Sequence, residues 1–378
     1  MKPVVPATTA EFDCLVRKAK CCLICQRMNG SQRVIGHASG RLDAPIMFIG
    51  EAPGRLGADA SAIPFHGDKA GDNFESLLEQ VGLSRYDCFI TNAILCNPKD
   101  SKGNNSTPSR TELSNCSFFL KHQVDLVGAQ VVVTLGAQAL AAVNLIEPHD
   151  LQLTASVRQK FSWYGRFLVP LYHPGQRAML HRSFLNQLAD YRFVAETYRK
   201  LVPARRSSVR QTNAVVSQIA QQLLATCGPV SYFALHKLFY LSEYEHYRAT
   251  GRRMTNCYII RQKDGPYVVE LNIRKLKKAL PDLRIWSEGP KLMLCLRAGR
   301  SLFDDRIPVP NAINHVGVKY GARSDDELKR VVYLTGPMRQ ILRREKYGRE
   351  NLFNVPIDFT AIRTDGTVSM NSGQTADS

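Results

Sequence analysis

Val131-Val132-Val133-Thr134-Leu135-Gly136-Ala137 lies inside an uncharged run, residues 126–146. The run is long enough to mimic a membrane span, but Gln130, Thr134, Gln138 and Asn144 interrupt it. Four β-prone residues come just before Gly136. The stretch therefore predicts a buried strand, a tight turn at Gly136 and a helix from Ala137. The same grammar recurs on either side. Strands are predicted at 45–49, 88–95 and 167–171, with helices at 72–81 and 109–128 between them. The second of these helices opens with Ser109 and Glu112 at capping-box spacing, just after Pro108. Strands alternating with helices imply a parallel sheet covered on both faces, an α/β architecture whose ligands sit at the carboxyl ends of the strands. Glu51, Asn92 and His173 all fall at or just after predicted strand ends.

The whole chain has 378 residues, 44% of them hydrophobic, with ten cysteines and a net charge of +17. That apolar fraction excludes general disorder, and the length allows two or three domains. The opening residues, Met1 to Pro6, show no apolar signal core. With the sparse cysteines, this argues against a disulfide-stapled secreted scaffold and for a cytoplasmic protein. So basic a chain calls for a polyanion or an acidic surface. The excess is uneven: residues 1–200 carry 22 Lys and Arg against 17 Asp and Glu, and residues 201–378 carry 28 against 16.

Cys22-Leu23-Ile24-Cys25 is a C-x2-C pair after a helix predicted from Thr8. Cys96 closes a predicted strand, and Cys116 lies inside the helix begun at Ser109. A C-x2-C pair joined by two distant thiolates gives tetrahedral sulfur coordination, suited to zinc or to an iron–sulfur cluster. The other six cysteines lack paired spacing and read as core residues.

Taken together, ordered motifs over residues 20–198 resemble the uracil-DNA glycosylase superfamily, in its iron–sulfur branches (families 4 and 5). They are Cys22-Leu23-Ile24-Cys25, Ile46-Met47-Phe48-Ile49-Gly50-Glu51-Ala52-Pro53-Gly54, Pro64-Phe65-His66-Gly67, Ile90-Thr91-Asn92-Ala93 through Cys96, Cys116, Val131 to Ala137, and Tyr172-His173-Pro174-Gly175. The resemblance implies a [4Fe–4S] cluster on Cys22, Cys25, Cys96 and Cys116. It also implies a glycosylase that flips a base from double- or single-stranded DNA and hydrolyses the N-glycosidic bond, leaving an abasic site. On this resemblance Glu51 and His173 are catalytic. Phe65 stacks on the base, Asn92 reads its edge, and Gly50 and Ala52 line it. Pro53, Gly54 and Gly175 approach the DNA backbone, and Arg177, Met179, Leu180 and Arg182 wedge into or grip the duplex.

Three departures stand out. Gly175 replaces the usual Ser after His-Pro, the stretch 55–63 is rich in small residues and lacks the usual acidic run, and the 97–115 loop is long. They suggest a reshaped pocket rim and a preferred base other than plain uracil, such as a hypermodified cytosine of phage DNA. Anti-phage defence is then the expected setting, with housekeeping uracil repair as the alternative. A non-catalytic DNA- or protein-binding regulator is the reading from another class, and intact Glu51, Asn92 and His173 argue against it.

After Lys200 the pattern changes. Residues 201–212 read as a linker and 361–378 as a disordered tail. Between them, 213–360 forms a smaller, mainly α-helical (α+β) accessory domain. Leu235 to Leu241, Gly251-Arg252-Arg253-Met254 and Asp264-Gly265-Pro266-Tyr267 loosely resemble the antitoxin-like Panacea domain, which implies a protein partner. Without that resemblance, Gly228 to Ser231 followed by a helix over 232–249 and later strands fits a winged-helix-like DNA clamp. No membrane role is expected.

Overall fold

Strand runs as apolar as 46–49 and 131–133 need cover on both faces, and they have it. The computed structural model describes residues 9–201, 212–255, 257–297, 311–348 and 352–362. In it β1 (Ile46–Gly50), β2 (Cys88–Asn92) and β3 (Val131–Leu135) are buried along their whole length. With β4 (Phe161–Trp163) and β5 (Arg166–Leu171) they form one sheet in the order β2-β1-β3-β5-β4. All pairings are parallel except β4 with β5. That antiparallel edge was not legible in the sequence: β4 is three residues long. It turns into β5 through Tyr164 and Gly165, both at positive φ (47° and 68°), the geometry of a two-residue hairpin.

The helices of this unit are α1 (Thr9–Lys20), α2 (Ala58–Ser61), α3 (Lys69–Gln80), α4 (Arg110–Leu126), α5 (Ala137–Asn144), α6 (Leu153–Ser156), α7 (Gln176–Met179) and α8 (Phe184–Leu201). Side chains alternate across a strand, so Met47, Ile49, Phe89, Val132 and Leu168 share one apolar core with α1, α4 and α5. Ile46, Phe48, Ile90, Val131, Val133 and Val169 meet α3 and α8 in the other. Ser109 and Glu112 close the expected capping box on α4. The order 2-1-3 reverses direction at β1, leaving a crevice at the carboxyl ends of β1 and β3.

The chain divides into two compact units, Met1–Thr212 with Asn354–Pro356, and Asn213–Phe353 with Ile357–Ser378. Of the expected linker, residues 202–211 lie outside the described residues, as do residues 363–378 of the expected tail. The second unit runs through α9 (Thr212–Cys227), β6 (Val230–Ser231), α10 (Tyr232–Thr250), a hairpin of β7 (Ile259–Gln262) and β8 (Gly265–Val268), and α11 (Ile273–Ala279). A hairpin of β9 (Leu283–Glu288) and β10 (Lys291–Leu296) follows, then α12 (Asn311–Tyr320), α13 (Asp325–Tyr333) and α14 (Gly336–Tyr347). Every residue of α10 from Ala234 to Glu243 is buried, charged ones included. Glu243 is satisfied there by the Met254 and Thr255 N–H groups (2.8 and 3.0 Å) and by Arg253 at 3.5 Å. One half of the Arg252-Arg253 pair is therefore spent inside the unit. No described helix is long and apolar enough to cross a membrane.

Candidate active site and cysteine site

Glu51, Phe65, Asn92 and His173 come from four different segments. Two N–H groups lock the end of β1 to the segment after β2: Ala93 N donates to Gly50 O (2.8 Å) and Ile94 N to Glu51 O (3.3 Å). Glu51 thus starts the loop with a fixed backbone. Its carboxylate accepts no hydrogen bond from a described residue, and burial raises its pKa above the usual carboxylate value. Asn92, the last residue of β2, is 2% exposed, and its amide nitrogen has no partner. Phe65 holds a left-handed backbone (φ 49°), and its ring centroid lies 5.4 Å from that of His173. Gly50 is where these groups meet. A Cβ there would stand 2.5 Å from Asn92 Oδ1 and 2.6 Å from the Phe65 ring, so only glycine permits the approach.

His173 follows β5. Its Nδ1 accepts the Gly175 N–H at 3.0 Å, which leaves the proton on Nε2. The residue is half-buried, and desolvation brings its pKa down to about 4, so it is neutral at physiological pH. A Cβ on Gly175 would lie 2.8 Å from Nδ1. The glycine that departs from the usual serine therefore sits tightly under the imidazole.

Several supporting residues had no sequence motif to announce them. Arg85 is buried. Its Nη2 donates to the Pro64 and Phe65 carbonyls (2.8 and 2.6 Å), while its Nε donates to Glu75 at 3.0 Å. Asn73 on α3 donates to Pro174 O at 2.8 Å. Asn97, next to Cys96, donates to Pro53 O (2.6 Å) and to Asn105 Oδ1 (2.9 Å). The long 97–115 loop is not slack: Lys99 and Asn105 form an antiparallel bridge, and Asn105 Oδ1 also accepts the Arg55 N–H.

Of the residues expected on the DNA face, Arg177 is exposed, Met179 half-buried, and Leu180 85% exposed just after α7. Arg182 is engaged elsewhere. It makes a bidentate pair (2.5 and 2.6 Å) with buried Asp190, which anchors the loop after His173. Ala52 is half-buried beside Glu51, and Pro53 and Gly54 continue the loop.

Cys22, Cys25, Cys96 and Cys116 are half-buried and pack against the same core. Burial pushes the Cys96 thiol up to about 11 and the Cys116 thiol to about 12, and the neighbouring cysteines add to both shifts. The four sulfurs thus lie within electrostatic reach of one another. Cations border them: Arg33 holds the Cys22 carbonyl through Nε (3.0 Å) and Nη2 (2.6 Å), and Arg27 ties the segment to Glu112 of α4 (2.7 and 2.6 Å). Asn115 Nδ2 donates to Cys25 Sγ at 3.5 Å. Among the described residues, no three His, Cys, Asp or Glu side chains stand at the spacing of a single metal ion.

Comparison with known proteins gives a consistent result. The sequence profile of the "Uracil DNA glycosylase superfamily" matches residues 37–201. The Type-4 uracil-DNA glycosylase of Thermotoga maritima is 32% identical over 179 residues, 47% of this chain and 86% of that protein. That of Archaeoglobus fulgidus is 31% identical over 201 residues, 51% of this chain and 96% of that protein. A Type-5 uracil-DNA glycosylase of Thermus thermophilus is 30% identical over 151 residues, 35% of this chain and 66% of that protein. A profile match over the described sheet, with two Type-4 relatives matched over 86% and 96% of their length, places this chain in the uracil-DNA glycosylase superfamily.

Proposed function

We propose that the chain is a monofunctional DNA glycosylase that flips uracil out of DNA, hydrolyses its N-glycosidic bond and leaves an abasic site. The observation that carries this reading is the buried, unpartnered amide nitrogen of Asn92, whose side chain meets the Phe65 ring at Gly50. A buried amide without a partner is costly, and a pyrimidine edge stacked on Phe65 supplies one. Glu51 orients a water toward C1′ and takes its proton. The bond from C1′ to the base nitrogen breaks with its electron pair going to the base, and the oxygen of water joins C1′. His173, neutral and protonated on Nε2, donates to the base carbonyl oxygen where negative charge grows. Leu180 fills the gap left by the flipped base, and Arg177 reaches a phosphate.

The test is alkaline cleavage of abasic sites after incubation with uracil-containing duplex and single strands. Strand breaks at the uracil position are expected. No breaks on any substrate would make the chain a binding regulator and defeat the enzyme reading. A second base, a hypermodified cytosine of phage DNA in a defence role, rests on the departures of residues 55–63 and Gly175 from the family's usual sequence. Breaks on such DNA at a rate above that on uracil would establish it over housekeeping repair.

Cys22, Cys25, Cys96 and Cys116 fit a [4Fe–4S] cluster. A cluster holds its thiolates on separate irons, a wider spacing than one ion needs, and bound iron would supply the charge that ionises the raised Cys96 and Cys116 thiols. When bound, the cluster supplies a rigid cross-link among three segments. Cys96 adjoins Asn97, which grips Pro53, so that cross-link bears on the Glu51 loop. Protein purified without air should contain about four irons and absorb broadly near ~410 nm, and Cys116→Ser should lose both features. Colourless, iron-free wild type that still excises uracil would remove the cluster from this reading.

A further inference from the structure

The second unit contains a basic surface that the glycosylase chemistry does not use. From Leu271 to Arg297 the chain has seven Lys and Arg (274, 275, 277, 278, 284, 291, 297) against two acids, Asp282 and Glu288. Its scaffold is specific. β6 pairs antiparallel with β10, and β10 with β9, giving the order β6-β10-β9. The chain order is α9, β6, α10, α11, β9, β10, with the β7–β8 hairpin inserted before α11. A short first strand added to the far side of a later hairpin, with helices before and after that strand, is the topology of a winged helix-turn-helix, here continued by α12, α13 and α14. In such modules the last helix before the hairpin lies in the major groove.

α11 has the features that position requires. Asn272 caps it by accepting the Arg274 N–H at 2.8 Å, and the hydroxyl of Tyr232, at the start of α10, bonds the Leu271 carbonyl just before it. Leu276 is buried, which fixes the inner face. Arg274, Lys277 and Lys278 are exposed and share one face at i, i+3 and i+4 spacing. Lys277 and Lys278 make no ion pair with a described residue. The adjoining hairpin turns at Gly289 (φ 56°) and presents Arg284 and Trp286 outward from β9.

We propose that α11 and the β9–β10 hairpin form a second, duplex-DNA-binding site. Arg274, Lys277 and Lys278 engage the major-groove phosphates, and the hairpin acts as a wing on the adjoining backbone. The site is independent of the base pocket and recognises undamaged duplex. It holds the chain on DNA whether or not an excisable base is present.

The test uses the full chain and a fluorescent duplex without uracil, with affinity measured across a salt series. Each phosphate contact removed lowers the salt slope by about 1. The triple variant R274A/K277A/K278A should therefore lose roughly 3 from the slope and bind about 10- to 100-fold more weakly at moderate salt. Its excision rate at saturating enzyme should match wild type. The charge-preserving R274K/K277R/K278R should restore both slope and affinity. An unchanged slope and affinity in the triple alanine variant would overturn the proposal. So would wild type that binds anionic phospholipid vesicles but not this duplex. A chain with no excision activity that still shows the slope change would sink the glycosylase reading and leave this one standing.

Discussion

Replacing Glu51 with glutamine is expected to slow base release by about 10²- to 10⁴-fold while leaving affinity for uracil-containing DNA nearly unchanged. Glutamine has the size and polarity of the original side chain but can neither take a proton from water nor oppose a cationic sugar. Single-turnover kinetics separate the two effects, because the chemical rate is read at saturating enzyme and the affinity from its concentration dependence. A Glu51→Gln variant with wild-type chemistry would sink the catalytic assignment. The pH profile gives a second reading. The proposed role needs the ionised carboxylate, so activity is present above the Glu51 pKa and lost as pH falls through it. Burial raises that pKa, so the loss should begin at a higher pH than for an ordinary carboxylate. His173 should add no limb near its usual range, because desolvation lowers its pKa to about 4. It is neutral across the working range, and its Nε2 proton is available throughout.

Arg85→Met should be the most damaging substitution that leaves every proposed catalytic group in place. The guanidinium holds two backbone carbonyls and Glu75, with both charged side chains no more than 5% exposed. Removing Arg85 takes away the close cationic partner of buried Glu75, which keeps the longer His66 Nδ1 contact at 3.4 Å, and breaking a buried pair costs about 3–5 kcal/mol. For a unit of this size that lowers the melting temperature by roughly 10 °C. The carbonyls released belong to Pro64 and Phe65, and Phe65 holds a backbone conformation (φ 49°) that side-chain-bearing residues rarely adopt. Without Arg85 the loop should relax and the stacking ring drift from Asn92. KM for uracil-DNA should then rise about 10-fold, measured at a temperature where the variant is folded. The double variant Arg85→Met/Glu75→Met tells the two effects apart. It removes that buried charge as well and should recover most of the melting temperature, while KM stays high. If KM recovers along with stability, Arg85 is a structural residue and does not position Phe65.

The sheet was legible because burial leaves a local imprint. Residues 131–133 and 46–49 are apolar without a break, and a chain so uniform has to be covered on both faces. The Ser109–Glu112 capping box was equally local. β4 escaped notice because three residues carry no periodicity. In the second unit, the two residues of β6 were too short to mark a strand, yet they set the sheet order that makes the hairpin a wing.

From residue pattern alone came the alternation of strands and helices, the placement of Glu51, Asn92 and His173 at strand ends, the four candidate cysteines and the basic bias of the second half. These depend on spacing along the chain, which sequence records directly. Tertiary structure alone revealed the proton position on His173, the grip of Arg85 on the Phe65 turn, the link from Asn97 to the Glu51 loop and the diversion of Arg182 to Asp190. Each joins polar groups from separate segments or through angles of the folded backbone. A polar residue carries no periodic mark of its partner, and only packing brings the two within bonding distance.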